Sequence, residues 1–467
     1  MAGIGRGAPA PEGRFGDPSQ LWTPSDSLIL RNLQVVDPEG ERRGISDLWI
    51  KNGVLEAMAP SLPEIEGLEA DFDGAAVMPG LFDMHVHLRE PGGEDAETIR
   101  SGALAAARGG FTGVACMPNT PVRIDQRSVV DLVQARAAEA CGTEVHPVAA
   151  MTKNLEGKEL TELAELAEAG AVAASDDGLP VMNSEVCRRA MEYARMCGLP
   201  VLVHCEDLAL RGQGVMNEGY WSTVLGLRGI PPACEEIGVA RDILLAELTG
   251  CRVHLCHLST RGSVELLRAA RERGVAVTAE TAPHYLTLTD ESLKSFDSSF
   301  KMNPPLRTAA DVAALRAAVK SGLIEVIATD HAPHTPQSKD VELDQAPFGV
   351  IGLETSFGVS YRAMVAEEGM KLEDLVRRMA VAPRRILGLR GGRLEVGQPA
   401  DFTIIDLAWQ WTVEAARFAS QGRNCPFEGW TLPGKVLLTM AAGRVTHAAA
   451  APQRGGPSPA PPERLRR

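Results

Sequence analysis

Short apolar runs of strand length alternate with longer amphipathic stretches through the middle of the chain. Eight such runs, rich in Val, Ile and Ala, lie between residues 80 and 331. Apolar runs of this length are typical of strands buried on both faces of a parallel sheet. In chain order they read GLFDMHVH, FTGVACMPN, EVHPVAAM, GAVAASDD, LPVLVHCED, CRVHLCHLS, VAVTAETAP and IEVIATDH.

The stretches between these runs carry apolar residues at helical spacing. Several have Gly near their ends, where it is favoured because it adopts the left-handed backbone conformation without steric cost. Eight strands separated by helices predict an α/β fold, a (β/α)8 TIM-like barrel. The helical stretches include ETIRSGALAAARGG, RSVVDLVQARAAEA, SEVCRRAMEYARMCG, SVELLRAARERG and DVAALRAAVKSG.

A different texture flanks the predicted barrel on both sides. Residues 27–78 and 392–447 consist of short alternating segments interrupted by turn residues, which is the pattern of a small sheet. We expect these two segments to pair into one β-sandwich subdomain beside a barrel of residues 79–391. Residues 1–26 and 448–467 are rich in Gly and Pro without periodicity, so we expect both ends to be flexible.

Composition and charge narrow the class of protein. The chain has 467 residues, 45% of them hydrophobic and 23% charged, as in an ordinary soluble globular protein. Its formal net charge of −14 opposes binding to nucleic acid, and no apolar run reaches the ~18 residues of a membrane helix. The nine cysteines form no CxxC pair and no apolar signal segment opens the chain. We therefore expect reduced thiols and a cytoplasmic protein.

Candidate metal ligands stand at the ends of five of the eight runs. The C-terminal ends of barrel strands form the active site in this fold. His85 and His87 end the first run, and residues two apart on a strand point to the same side. The other candidates are Asp176 and Asp177 after the fourth run, His204 after the fifth, His257 after the sixth and Asp330 after the eighth.

The number of these side chains indicates more than one ion. A lone pair of histidines in an HxH pattern is more often a polar strand end, but the His and Asp residues at the other strand ends favour a metal cluster. Four histidines and two aspartates exceed the four ligands of one tetrahedral zinc. They suit two divalent ions that share a carboxylate and a hydroxide. The sequence therefore predicts a binuclear hydrolytic centre.

The motifs of this region resemble those of the cyclic amidohydrolases, and among them the dihydroorotases of the class I bacterial type. The resemblance covers the chain from Pro79 to about Thr355, in order. The matching segments are PGLFDMHVHLREPGGE, RGGFTGVACMPNT, SDDG, VHCED, CHLSTRGS, TAETAPHYL, KMNPPLR, IATDHAPHT and APFGVIGLET.

The resemblance implies a set of metal ligands. His85, His87, Asp177 and Asp330 would hold one metal, and Asp177, His204 and His257 the other. Hydantoinases and allantoinases of the family usually bridge their metals with a carboxylated lysine, whereas dihydroorotases of this type use an aspartate. The sequence offers Asp177 at that strand end, and we expect Asp176 to support the loop. Lys153 and Lys158 are the nearest upstream lysines and the weaker candidates for the bridge.

The resemblance also assigns substrate contacts and a proton carrier. Arg89 and Asn119 match the family's binders of a free substrate carboxylate, for which the planar guanidinium of Arg is suited. Taken alone, Arg89 is equally well explained by a surface ion pair. Asp330 is the candidate to move the catalytic proton. The remaining predicted substrate contacts are His87, Asn303, His334, Phe348 and Gly349.

The loop after His334 and the other histidines are less informative. HTPQSKDVELDQAPFG is polar and unpatterned, which suits either a loop that closes over substrate or a plain surface loop. His254 precedes His257 by three residues, so on a strand it points to the opposite side. We expect His254 to belong to the core or to support the site, His284 and His331 to support the site, and His146 and His447 to be structural or exposed.

The activity implied is the interconversion of N-carbamoyl-L-aspartate and dihydroorotate in pyrimidine synthesis, with two zinc ions per subunit. Two alternatives remain open at this point. One is another cyclic amidohydrolase that acts on hydantoin, dihydropyrimidine or allantoin. The other is a catalytically silent homologue that acts as a partner of aspartate carbamoyltransferase. We expect a small-molecule substrate and a homo-oligomer, and no nucleic acid or membrane partner.

Overall fold

The computed structural model describes residues 27–40, 42–140 and 142–449. The predicted N-terminal extension, residues 1–26, lies outside the described residues, and so does the predicted C-terminal tail beyond residue 449. No helix in the described ranges is both long enough and apolar enough to cross a membrane. The eight cysteines in these ranges are free thiols.

Eight parallel strands form a barrel, as the pattern of apolar runs predicted. Each strand pairs with its neighbours in chain order. A bridge between Val86 and His331 joins the first strand to the chain after the last one, and the N–H of His87 donates to the carbonyl of His331 at 2.8 Å. The strands are β1 Leu81–Val86, β2 Phe111–Cys116, β3 Glu144–Ala150, β4 Ala173–Ser175, β5 Val201–Val203, β6 Val253–Leu255, β7 Val277–Thr281 and β8 Val326–Ile327.

Helices follow the barrel strands and cover their outer face. Capping side chains begin several of them: Thr98, Asn183 and Thr260 each accept a hydrogen bond from a backbone N–H in the first turn, which satisfies an otherwise unpaired donor. The α-helices are Ile99–Arg108, Arg127–Glu139, Leu163–Glu168, Ser184–Met196, Leu208–Arg211, Tyr220–Leu225, Ala233–Thr249, Arg261–Glu272, Ala309–Ser321, Pro336–Lys339, Ser356–Ser360, Leu372–Val376 and Ala382–Leu387. Tyr361–Glu367 and Arg377–Val381 are π-helical.

A second large sheet combines both flanks of the barrel. Strand Ala76–Pro79 pairs antiparallel with Phe402–Asp406 and parallel with Ser27–Val35, so residues from before and after the barrel share one sheet. The fold class is thereby confirmed, while the predicted domain boundaries stay predictions. The remaining strands of this sheet are Gly44–Lys51, Val54–Ala59, Leu68–Asp71, Lys435–Ala441 and Arg444–Ala448.

The core has separate apolar clusters inside and outside the barrel. The inner cluster takes residues from strands around the barrel, including Phe82, Ala115, Val148 and Leu202. A larger cluster fills the space between the strands and the helices, with members such as Val86. Because the inner cluster fills the barrel interior with apolar side chains, the polar side chains gather at the C-terminal ends of the strands.

Candidate metal centre

A change of strand phase directs two histidines into the barrel at the end of β1. Met84 packs in the inner cluster, whereas Val86 packs in the outer one. The register between β1 and β2 shifts between Asp83 and Val86, as at a β-bulge that re-aims side chains. After this irregularity His85 and His87 are buried beside Asp330, which follows β8.

His85, His87 and Asp330 form the first group of candidate ligands. Nε2 of His87 lies 3.0 Å from Oδ1 of Asp330, and Nε2 of His85 lies 3.5 Å from the same oxygen. One donor atom from each of the three lies within 4.8 Å of the other two. Three donors so close together can face a single cation.

Asp177 stands between this group and a second pair of histidines. Its Oδ1 lies 3.5 Å from Nε2 of His85 and 3.5 Å from Nε2 of His257. Nδ1 of His204 lies 3.8 Å from the same oxygen and 2.9 Å from Nε2 of His257. Oδ2 of Asp177 lies 3.5 Å from Nε2 of His87. Asp177 thus lies near all four histidines that the sequence predicted as metal ligands.

Charge coupling keeps the two aspartates ionised. Burial opposes ionisation of Asp177, but the charge of His85 and the close approach of His257 hold its pKa well below the usual range. Burial likewise opposes ionisation of Asp330, and the neighbouring His85 and His87 lower its pKa to about 2. Burial lowers the pKa of His85, yet the charges of Asp177 and Glu280 outweigh it and raise that pKa well above its ordinary value.

The donor set fits a cation. Nε2 of His85 and Oδ1 of Asp177 are buried and have no hydrogen-bond partner among the described residues, although they face each other at 3.5 Å. Leaving such atoms unpaired is costly. Imidazole and carboxylate groups are zinc ligands, and a cation between these two atoms would satisfy both.

Glu280, at the end of β7, is a participant that the sequence interpretation missed. Its Oε1 lies 2.6 Å from Nδ1 of His85, and its Oε2 lies 3.1 Å from Nε2 of His254. Nδ1 of His254 lies 2.8 Å from Oγ1 of Thr278. The glutamate therefore orients a candidate ligand from behind. The available signal was an acidic residue within an otherwise apolar strand run, VAVTAETAP.

Glu206 supports the second pair in a similar way. Its Oε2 lies 3.2 Å from Nε2 of His204, and its Oε1 accepts a hydrogen bond from Nδ2 of Asn303 at 3.0 Å. Nδ2 of Asn303 also lies 3.4 Å from Nε2 of His204. Glu206 follows His204 by two residues. Residues two apart in an extended chain lie on the same side, so the sequence already indicated that Glu206 could lie near His204.

The predicted substrate residues Arg89 and His334 lie side by side at the rim. Nε of Arg89 donates to the carbonyl of Pro333 at 3.0 Å, and Nη2 lies 3.5 Å from Nε2 of His334. Neither partner carries a negative charge. Burial lowers the pKa of Arg89 to about 10, against the attraction of Asp330 and Asp177, so the guanidinium remains charged at neutral pH.

His334 is held neutral and is fixed by the loop that follows it. Burial and the charge of Arg89 lower its pKa to about 3. Its Nε2 lies 2.8 Å from the carbonyl of Phe348. Gly349 has a φ of +133°, and a Cβ there would lie 2.9 Å from Nε2 of His334 and 2.8 Å from Cβ of Ala332. Only glycine fits this approach without displacement.

Asn119 contacts two candidate ligands. Its Oδ1 lies 2.8 Å from Nδ1 of His87, and its Nδ2 donates to the carbonyl of Asp177 at 3.3 Å. In this structure Asn119 therefore orients His87. Its predicted contact with a substrate carboxylate stays a prediction.

Three site positions have left-handed backbone conformations that non-glycine residues seldom adopt. The φ values are +61° at Arg89, +36° at His257 and +50° at Asp330. Such strain persists only where surrounding structure imposes it, and it concentrates at functional sites.

The two candidate bridging lysines lie away from the centre. Lys153 pairs with Glu159 and Lys158 with Glu156, and both lysines are exposed. Asp176 accepts hydrogen bonds from the N–H groups of Met151, at 2.8 Å, and Thr152, at 3.1 Å. It thus supports the loop after β3.

The other histidines occupy varied positions. Nε2 of His331 lies 3.3 Å from Glu97, and Nδ1 accepts from the N–H of Gly352 at 3.2 Å. His284 is buried against the ring of Tyr285, and burial lowers its pKa to about 4. His146 lies 3.5 Å from Glu144, and burial lowers the pKa of His447 to about 4.

Known proteins resemble this chain in sequence and in fold. A dihydro-orotase-like family model matches residues 74–263. A dihydroorotase of Pelotomaculum thermopropionicum is 52% identical over 419 residues, which cover 90% of this chain and 98% of the relative. One of Citrifermentans bemidjiense is 49% identical, covering 91% of this chain and all of the relative, 100%.

Among solved structures, the L-hydantoinase (dihydropyrimidinase) of Arthrobacter aurescens superposes with a TM-score of 0.79 at 26% identity. The superposition covers 90% of this chain and 96% of the hydantoinase chain. The shared architecture extends over barrel and flanking sheet alike, whereas sequence identity is about twice as high to the dihydroorotases. The chain belongs to the dihydroorotase family, within the cyclic amidohydrolases.

Proposed function

We propose that the protein catalyses the reversible cyclisation of N-carbamoyl-L-aspartate to (S)-dihydroorotate in de novo pyrimidine synthesis. The observation that carries this proposal is Asp177, a buried carboxylate near four histidines at the C-terminal ends of the strands. The dihydroorotases at about 50% identity support it. The enzyme is a cyclic amide hydrolase.

The candidate ligands fit two Zn²⁺ ions. His85, His87, Asp177 and Asp330 would hold one ion, and Asp177, His204 and His257 the other. Bound divalent ions lower the pKa of water and polarise a carbonyl oxygen, which supplies the nucleophile and the electrophile of amide hydrolysis. The protein's own contribution is to orient these ligands, through Glu280 behind His85 and Glu206 behind His204.

Asp330 carries the proton in this proposal. With a pKa of about 2 it is ionised at neutral pH, so its carboxylate can accept the proton of the attacking water. In the hydrolytic direction it then delivers that proton to the ring nitrogen as the amide C–N bond breaks. In the cyclising direction the same carboxylate removes the proton from the ureido nitrogen as the C–N bond forms, and it returns that proton to the hydroxyl that leaves the carbonyl carbon as water.

The substrate's free carboxylate is bound by Arg89 and Asn119. Arg89 is charged, and its hydrogen-bond partners among the described residues are the carbonyl of Pro333 and the neutral ring of His334, so its charge is free to pair with a carboxylate. The pocket is completed by the neutral ring of His334, the side chain of Asn303 and the backbone at Phe348 and Gly349. His87 contacts the substrate from the side of the metal ions. His334 contributes no charge there, because its pKa is about 3.

The two alternatives, another cyclic amidohydrolase and a catalytically silent homologue, have less support. A hydantoinase or allantoinase would use a bridging lysine, and Lys153 and Lys158 are exposed on the surface. A silent homologue would be expected to lack ligands, whereas this chain retains all six candidates. A complex with aspartate carbamoyltransferase, a homo-oligomer and a cytoplasmic location stay predictions.

The test is steady-state turnover in both directions on purified protein with measured metal content. We expect both reactions, loss of both after chelation, and recovery on addition of Zn²⁺. Protein that carries two metals per chain but turns over neither substrate would refute the proposal.

A further inference from the structure

A cavity of about 490 Å³ includes Phe348, one of the predicted substrate contacts, in its lining. One wall is the segment between β5 and β6, around Arg211 and Arg228. The loop that follows His334, with Asp344 and Phe348, also lines the cavity, together with Lys301. A volume of this size suits a small molecule.

Positive charge predominates in this cavity. Arg211, Arg228 and Lys301 line it, against the single carboxylate of Asp344. The chain as a whole has 61 acidic and 47 basic residues, so the local balance is the reverse of the overall one. Grouped cations in a concave site attract anions and raise their local concentration.

The three cations differ in how firmly they are engaged. Lys301 donates to the carbonyls of Leu343 and Asp344 at 2.7 and 3.1 Å, so its ammonium is fixed to the loop. The side chain of Arg211 is 31% exposed, and its nearest acid is Glu206, 3.8 Å away. Arg228 is exposed and faces the cavity.

The cavity connects to the metal centre through one carboxylate. Glu206, which lies near Arg211, also contacts Nε2 of His204 at 3.2 Å and accepts from Asn303 at 3.0 Å. An anion that draws Arg211 towards the cavity would weaken the hold of Arg211 on Glu206. The position of His204 is therefore linked to the occupancy of the cavity.

We propose that this cavity is a binding site for a small carboxylate- or phosphate-bearing anion, held by Arg211 and Arg228 in a lining that also includes Lys301. Arg side chains bind both groups through paired N–H donors. Two sources have this chemistry: the dicarboxylate of the proposed reaction on its way to the metals, or a separate anionic effector. The first source rests on the proposed function, whereas the binding itself does not.

Isothermal titration of the holoenzyme with inorganic phosphate, at low ionic strength, tests the site. We expect Arg228→Gln to weaken phosphate binding about tenfold, the loss expected for one charge-assisted hydrogen bond, and Arg228→Lys to restore part of it. Arg268→Gln is the matched control, since Arg268 is exposed on helix Arg261–Glu272, which does not line the cavity. Equal phosphate affinity in the wild type and Arg228→Gln, or no binding to either, would overturn the proposal.

Kinetics with N-carbamoyl-L-aspartate distinguish the two sources. If the substrate occupies the cavity, phosphate competes with it, and Arg228→Gln raises KM while removing that competition. If the ligand is an effector, phosphate changes kcat at saturating substrate, and this change disappears in Arg228→Gln. Because the titration needs no turnover, a failure of the proposed activity would not be mistaken for a failure of the anion site.

Discussion

Nδ1 of His85 and Oε1 of Glu280 lie 2.6 Å apart, although the two residues are 195 positions apart in the chain. The other oxygen of Glu280 is engaged by His254. The glutamate is buried, and the charges and hydrogen bonds of these histidines lower its pKa against the effect of burial. It therefore holds Nδ1 of His85 and leaves Nε2 directed at Asp177 and Asp330.

Replacement of Glu280 tests this relationship. We expect Glu280→Gln to lower metal affinity by about 10- to 100-fold, as for other residues that orient metal ligands. The measurement is competition with a chelator of known affinity. Glu265→Gln, on an exposed helix face, serves as the control. Unchanged affinity in Glu280→Gln would show that His85 needs no such support.

The bridging role assigned to Asp177 predicts a variant that folds but does not turn over. Asp177→Asn removes the charge shared by the two ligand groups with little change in volume. We expect no detectable turnover, less than two metals per chain, and a circular dichroism spectrum like that of the wild type. Wild-type turnover in this variant would refute the bridging assignment.

Asp176 provides the matched comparison because it is the neighbouring residue. Its contacts are with the loop after β3, and an asparagine can still accept those hydrogen bonds. We expect Asp176→Asn to retain two metals and turnover within about tenfold of the wild type, in line with loss of one supporting contact. Equal loss of metal in both variants would contradict the assignment of distinct roles.

The raised pKa of His85 predicts that metal uptake releases protons. In the metal-free protein His85 is protonated at and above its ordinary pKa of about 6.5, because Asp177 and Glu280 favour the charged form despite burial. Metal binding requires the neutral ring. Metal affinity should therefore fall as the pH falls through neutrality. Titration in two buffers of different ionisation enthalpy measures the released protons, and a buffer-independent heat would contradict this.

The close packing around Gly349 predicts that a larger residue at this position disturbs the substrate pocket. In Gly349→Ala the new Cβ would meet Ala332 and His334, and the backbone would be strained at a cost of about 1–3 kcal/mol. We expect a raised KM from displaced His334, with kcat less affected, and a lower midpoint of urea unfolding. Gly274→Ala is the control. Gly274 has a φ of +77° and no atom within 4 Å of a built Cβ, so this substitution strains the backbone without a side-chain clash and should leave KM unchanged.

Much of the fold could be read from the sequence because its signals are local. All eight apolar runs became barrel strands, since each was long enough and apolar enough to be buried on both faces. Helix Ala233–Thr249, the longest α-helix described, was not among the stretches singled out. Its exposed face carries Ile237, Leu244 and Leu248, and these blur the amphipathic pattern.

The candidate ligands could also be predicted, because parallel strands bring their C-terminal ends to one rim. The sequence also carries signals for the supporting glutamates, but it does not show which ligand each one contacts. Glu280 on β7 contacts His85 on β1, and Glu206 contacts both His204 and Asn303. These contacts depend on closure of the barrel and on residues far apart in the chain. The phase change at Met84 and Val86 depends on a register shift against β2, which a strict alternation rule does not foresee.

The measurement that tests the central claim most directly compares kcat/KM for dihydroorotate with that for dihydrouracil, the same ring without the carboxylate. We predict a preference for dihydroorotate of about 10⁴-fold, as expected when a site built to bind a polar group meets an analogue that lacks it. Arg89→Met should reduce this preference mainly by slowing dihydroorotate. Faster turnover of dihydrouracil, hydantoin or allantoin than of dihydroorotate by the wild type would contradict the account.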